Sequence, residues 1–308
     1  MRVQTLAALA FVIGLIWMLA GCTSYSEKEK QMPDTPLRGT INVSADESFR
    51  PVIDELVAVY ESNNPATNIR VTYKPEADCL RDIFNDSVRV VIATRGYNKA
   101  EEKFIIDSLR LQPAQLVVAR DAVAVIVNPA SPDTLFSMPD VKEILTGGFK
   151  KNLIPVFDGV QATSTVRYIV DSILKGNSLT KSAVAATSSE GVIDYVSKTP
   201  NAVGFIGVSW IGNKEDSSQI SFLQKVKIAR LESIDTAGLY VHPVQTNIYL
   251  QTYPMVRDLV YIRKEKHLGL GKGFTDFLTE QIGQLIFKRA YLVPARNNFI
   301  SRPVRLRD

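Results

Sequence analysis

The sequence predicts an α/β fold of two lobes with a ligand cleft between them, and three observations predict it. From Gly39 onward, short β-branched runs alternate with longer amphipathic stretches, the grammar of a mostly parallel sheet covered by helices on both faces. The roughly 270 residues from that point, in a chain with 45% hydrophobic side chains, suit two cores better than one. A second alternating series begins at the continuous apolar run DAVAVIVNP, and the text near Tyr253 reads as a return toward the first sheet.

In chain order, GTINVSA is strand-like, and SFRPVIDELVAVYESNNP follows as a helix with Phe49, Ile53, Leu56, Val57 and Tyr60 on one face. NIRVTYKP is a second strand, LRDIFNDS a short helix, VRVVIATR a third strand and AEEKFIIDSLR a third helix. The second series runs through MPDVKEILTGG, a helix opening at TST (163–165), SSEGVIDYVSKTP and AVGFIGVSW. NIYLQTYPMVRDLVYIRK supplies two more strand-like pieces, and GKGFTDFLTEQIGQLIFKRA closes the chain with two amphipathic helices. The expected division is 39–121 for the first part of lobe 1, 122–250 for lobe 2 and 251–308 for the C-terminal part of lobe 1. Two crossing segments would then join the lobes, with the ligand between them.

The first residues address the compartment. Arg2 precedes an almost uncharged apolar run that ends LAGC. That run, Leu6 to Ala20, is shorter than the ~20 residues of a membrane-spanning helix, and small residues precede Cys22. The pattern predicts a lipoprotein signal peptide over 1–22, the alternative being an N-terminal transmembrane anchor. LAGC resembles the bacterial lipobox, which implies that Cys22 becomes the lipidated first residue. Residues 23–38 would be a polar tether, and the protein would sit in the cell envelope, on the periplasmic side of the inner or outer membrane.

With Cys22 lipidated, Cys79 has no partner for an internal disulfide, so stability must come from packing. Cys79 itself reads as a packing residue more readily than as a reactive thiol. The net charge of +4 argues against a nucleic-acid partner, and the basic tail KRAYLVPARNNFISRPVRLRD reads as a solvated end. Catalysis finds no support: His242 and His267 lie near no nucleophile motif, there is no metal-ligand cluster, and GLGKGF lacks the hydroxyl residue and spacing of a phosphate loop. No cofactor is expected, and the chain is expected to be a monomer.

Three hydroxyl-bearing positions stand at strand ends or helix starts. Ser48 follows the first strand and precedes a helix, Thr94 and Arg95 end the third strand, and Thr163, Ser164 and Thr165 open a helix. A helix start offers free amides and the positive end of the dipole, so each position reads either as a plain cap or as part of an anion site. Three together point to a small oxyanion.

In order and spacing, these motifs resemble the periplasmic phosphate-binding proteins that feed ABC importers, over about residues 39–295. Ser48-Phe49 is similar to that family's hydroxyl and aromatic at the first helix start, IATR to its serine-arginine strand end, and VKEILTGGF to its isoleucine-phenylalanine-threonine-glycine turn. AVGFIG resembles its glycine-tyrosine strand and YPMVRDLVYI its tyrosine-proline return strand. Three departures stand beside the resemblance. Gly159 occupies the position of an arginine four residues before the second helix start, KPEADCL replaces a glycine- and serine-rich loop, and Arg89 stands where an aspartate is usual.

The resemblance implies a two-lobed, type II-like binding-protein fold and a lipid-anchored protein that captures a small oxyanion, phosphate first, for an ABC permease or another envelope complex. The expected ligand residues are Ser48, Phe49, Asp78, Thr94, Arg95, Thr163, Ser164 and Thr165. Arg95 would bring the positive charge, and Asp78, Glu47 or Asp46 would accept the proton of hydrogen phosphate, unless those acids are solvent-facing loop residues. The alternative is an envelope scaffold or sensor that keeps the fold but has lost the anion site.

Overall fold

The computed structural model describes residues 33–159, 163–212, 217–265 and 267–296. The expected signal peptide, Cys22 and most of the tether and basic tail lie outside the described residues. Among those described, no helix is long and apolar enough to cross a membrane.

The first sheet begins with β1 (Arg38–Asp46), whose alternate residues Ile41, Val43 and Ala45 are buried. It pairs in parallel with β2 (Ala66–Lys74) on one side and β3 (Val88–Ala93) on the other. Helix α1 (Arg50–Asn63) connects β1 to β2 and buries Ile53, Leu56 and Tyr60 at the spacing expected of an amphipathic helix, with Val57 half-buried. Helix α2 spans Glu76–Arg81 and continues as a 3₁₀ turn to Phe84, so in KPEADCL Lys74 ends β2, Pro75 caps the helix and the remaining five residues are helical rather than a loop. Helix α3 (Lys99–Leu109) is fixed by a capping box between Asn98 and Glu101.

The long strand β4 (Ala114–Val127) runs through both sheets. Its first half pairs with β12 (Val256–Arg263), and its second half pairs with β8 (Ala202–Gly207), in both cases antiparallel. The second sheet continues through β6 (Ile154–Phe157) and the short β7 (Val184–Ala185), both parallel. Strand β12 lies between β3 and β4, which gives the order β2-β1-β3-β12-β4-β8-β6-β7. The parallel expectation therefore holds within each half, whereas the connecting strands are antiparallel.

One core joins Ile41–Val118 to Leu259–Leu292, including Phe274 and Phe287 of α9 (Leu270–Thr279) and α10 (Gln281–Arg289). A second gathers Ala122–Val208 with Ala229–Met255 and Val293. Burying a phenylalanine in such a core is worth about 3 to 5 kcal/mol against alanine. NIYLQ, expected as a strand, instead ends the short helix α8 (Gln245–Tyr249) and turns at Leu250 and Gln251, with Ile248 facing the core while Tyr249 and Leu250 face solvent. Cys79 is fully buried, and burial pushes its thiol up to about 12.

Candidate functional site

Where β1 ends, Asp46 Oδ1 accepts the Ser48 amide at 3.0 Å and holds a single 3₁₀ turn that carries Ser48 and Phe49 inward. Both are fully buried. The Ser48 carbonyl accepts from Ser209 Oγ at 3.1 Å and Trp210 Nε1 at 2.9 Å, both on the turn after β8. The Ser48 hydroxyl lies 3.2 Å from Ser164 Oγ and 3.3 Å from Asp158 Oδ2. Residues from the two halves of the molecule thus meet at this turn.

Thr163, Ser164 and Thr165 are all buried. Thr163 caps helix α5 (Ser164–Tyr168), its hydroxyl accepting the Val166 amide at 3.4 Å, and the helix passes into a π-type turn at once. Ser164 and Thr165 accept hydrogen bonds from one cation, Arg257 Nη1, at 3.0 and 3.3 Å. Arg257 is 4% exposed. It stands on β12 directly opposite Asp121 of β4, and its Nε donates to Asp121 Oδ2 at 2.8 Å. Nη2 lies 2.8 Å from that oxygen but is not aimed at it, and its protons have no acceptor. The guanidinium also stands 5.2 Å from the centre of the Phe49 ring. Gly207 leaves room for it: a Cβ there would come within 3.0 Å of Arg257 Nη2 and 3.2 Å of Asp121 Oδ2.

The electrostatics are unusually acidic. Burial would lower the Arg257 pKa, but Asp121, Asp46 and Asp158 around it push it up, so it stays charged. Burial, reinforced by Glu76, pushes Asp46 up to about 7, and burial with the Glu47 carboxylate pushes Asp158 up to about 6. Asp46 Oδ2 and Asp158 Oδ1 are buried without a hydrogen-bond partner. Glu47 is also raised, chiefly by burial, and its carboxylate accepts from Ser189 Oγ at 3.0 Å across the two halves.

A second bridge lies beside the first. Arg167 of α5 pairs through Nε with Glu76 of α2 and donates from Nη2 to Thr94 Oγ1 at 2.7 Å, while the Thr94 amide donates to Glu76 Oε1 at 2.8 Å. Glu76 is 1% exposed, so a cation and a carboxylate from opposite halves are fastened inside the interface.

A family model, the PBP superfamily domain, matches residues 30–281. The chain belongs to the PBP superfamily. Among its relatives, the phosphate-binding protein PstS of Borreliella burgdorferi is 22% identical over 291 residues, covering 89% of this chain and 94% of the relative. PstS of Staphylococcus saprophyticus is 21% identical over 252 residues, covering 78% of this chain and 75% of its own. Among solved structures, a phosphate ABC transporter substrate-binding protein from Clostridium perfringens with bound phosphate superposes with a TM-score of 0.68 at 17% identity, over 84% of this chain and 100% of that one. An ABC-type phosphate transport receptor from Vibrio cholerae gives 0.61 at 17% identity, over 82% and 99%. These structural likenesses show the two-lobed α/β fold.

Set in this PBP fold, Ser48, Phe49, Thr163, Ser164 and Thr165 come together around Arg257, and Thr94 joins the Glu76–Arg167 bridge. Arg95, expected to supply the charge, is elsewhere: its Nη1 and Nη2 donate to Glu101 at 2.7 and 3.0 Å, and Nη1 to the Gly96 carbonyl at 3.0 Å. The reason is local, because Glu101 already sits at the cap of α3 and draws the guanidinium along the first half. Asp78 is paired with Arg81 on the exposed side of α2. Arg89 pairs with Glu265 at 3.1 Å and Asp34 at 3.4 Å. Asp34, Glu265 and His267 form the one group among the described residues whose spacing could hold a metal. Arg89 and the amides of Leu270, Gly271 and Lys272 already satisfy its carboxylates.

Arg257, Asp121, Asp158, Glu76 and Arg167 are the site residues that sequence reasoning missed. A signal existed for the first two, since each is a charge beside a long apolar strand run, in ARDAVAVIV and YPMVRDLVYI. A cavity of about 690 Å³ lies apart from the cluster, bounded by Leu135, Lys227, Arg230, His242 and Tyr291.

Proposed function

We propose that this protein is a lipid-anchored solute-binding protein that captures a small oxyanion, phosphate first, for an ABC importer, with lobes divided near residues 121/122 and 250/251. The observation that carries the reading is Arg257. A fully buried guanidinium with one nitrogen lacking an acceptor, bonded through another to two buried hydroxyls, is a donor set suited to an oxyanion. It takes the part that the arginine absent at Gly159 plays in the resembled family. Ser48, Ser164 and Thr165 supply hydroxyl donors from both lobes, so lobe closure would complete the grip. Function is then capture and release without chemistry, and the lipid on Cys22 would keep the protein near its permease.

A second reading, a scaffold or sensor that binds no anion, is supported by the acids crowded round Arg257. Calorimetric titration with phosphate and sulfate decides between them. Saturable binding that is lost in Arg257→Gln, with the variant still folded, supports capture. Absence of binding in the wild type at millimolar anion from about pH 5 to pH 8 supports the scaffold reading.

A further inference from the structure

We propose that Asp158 is the cleft's resident anion, a side chain that holds the place of the captured oxyanion and must be neutralised or swung out before capture. The inference rests on the capture reading above. Asp158 Oδ2 accepts from the Ser48 hydroxyl at 3.3 Å, and that hydroxyl is itself 3.2 Å from Ser164 Oγ, the acceptor of Arg257 Nη1. The carboxylate therefore uses a donor that an oxyanion would use, in the field of the cation that an oxyanion would need. Although the residue as a whole is half-buried, its Oδ1 is closed off from solvent and has no hydrogen-bond partner. The next residue, Gly159, has φ +144°, a conformation that side-chain-bearing residues rarely adopt. Its freedom lets the chain aim the carboxylate inward and lets it turn away again.

Charge balance shows why the two anions exclude each other. The turn after β1 presents Asp46 and Glu47, α2 presents Glu76, β4 presents Asp121, β12 presents Arg257, and α5 presents Arg167 and Tyr168. Arg167 answers Glu76 and Arg257 answers Asp121. Glu47 has the Ser189 hydroxyl, and Asp46 and Asp158 share the field of Arg257 with Asp121, so that among these groups the acids outnumber the cations. An incoming anion adds to that excess, so its affinity rises when Asp158 takes up a proton, which burial and Glu47 favour up to about pH 6. Capture at neutral pH then consumes a proton or displaces the side chain.

The test is calorimetric titration of the full chain in detergent with sulfate, whose charge is constant across the range, and with phosphate, at about pH 5.5, 6.5 and 7.5. Wild-type sulfate affinity should fall by up to about tenfold per pH unit above pH 6. Asp158→Asn should lessen that slope, leaving the part that Asp46 contributes, and bind about tenfold or more tightly than the wild type at the highest pH. A folded Asp158→Asn variant that binds no better than the wild type at that pH overturns the proposal while leaving capture intact. If neither protein binds either anion at any pH, capture has failed, and lobe closure decides. Of the two tryptophans in the sequence, Trp17 lies within the proposed signal peptide, so the emission of the processed protein reports Trp210, which is bonded to Ser48 across the cleft. Asp158→Ala should then shift that emission to longer wavelength as the cleft loosens, and an unchanged spectrum overturns the resident-anion role.

Discussion

Replacing Arg257 with Met tests whether the buried pair organises the interface. Asp121 is 0% exposed, and its carboxylate would be left with backbone amides alone, those of Ala122 and of Val208, the latter at 3.2 Å. Removing one partner of a buried pair typically costs about 3 to 5 kcal/mol, because the other charge stays desolvated. The lost bonds to Ser164 and Thr165 contribute about 1 kcal/mol each within that figure. Asp121→Asn should cost less, about 2 kcal/mol, since Asp46 and Asp158 still face the guanidinium. The double variant Asp121→Asn/Arg257→Met removes both charges and should be more stable than the sum of the single losses, with a coupling of about 2 kcal/mol or more. Urea unfolding followed by circular dichroism measures all four corners of the cycle. An Arg257→Met loss below about 1 kcal/mol, or simple additivity, would refute the view that these two charges depend on each other.

Two further outcomes follow. Asp46 has its folded pKa raised from 3.8 to about 7, so the folded state holds the proton more tightly, and this group's contribution is present at acid pH and is lost as pH rises toward 7. That displacement corresponds to roughly 4 kcal/mol, and Asp158, raised to about 6, acts in the same direction. Unfolding free energy should therefore fall between about pH 4 and pH 7 and fall less in Asp46→Asn; an equal slope in wild type and variant would remove Asp46 from the account. At the N-terminus, Cys22→Ser should leave the protein unlipidated and shift it from membrane to soluble fractions, and mass spectrometry finding residues 1–22 intact and unmodified in the native protein would contradict the anchor.

The parts of this molecule that were legible in its sequence are those set by local periodicity. Ile53, Leu56 and Tyr60 announce α1 because helical spacing and burial coincide there, and Ile41, Val43 and Ala45 announce β1 in the same way. Ser48 and the TST run were legible because a hydroxyl at a helix start has a local cause. NIYLQ was misread because Tyr249 and Leu250 are apolar in type yet exposed in fact. The site's charge had a faint local signature, a charged residue beside an apolar strand run, which does not name its partner. Arg95 looked available because its partner Glu101 is recruited by a helix cap that forms only after α3 is placed. Arg257 has an acidic neighbour in sequence, Asp258, and its true partner becomes visible only when the β4–β12 register sets it opposite Asp121.

That register carries a functional consequence. Strand β4 runs through both sheets and β12 is bonded to it, so Arg257 stands on the connection between the halves, whereas Ser48 and Ser164 stand on opposite sides of the cleft. In the proposed capture cycle, separating the lobes withdraws the hydroxyls from one another but leaves the guanidinium and Asp121 together, because their strands are neighbours in the same sheet. The cation therefore need not be reassembled at each closure, and an entering anion meets it before it meets the hydroxyls of both lobes. An arginine at Gly159 would have moved with the second lobe. Placing the charge on β12 makes the opening motion, rather than the loss of an ion pair, the step that controls access to it.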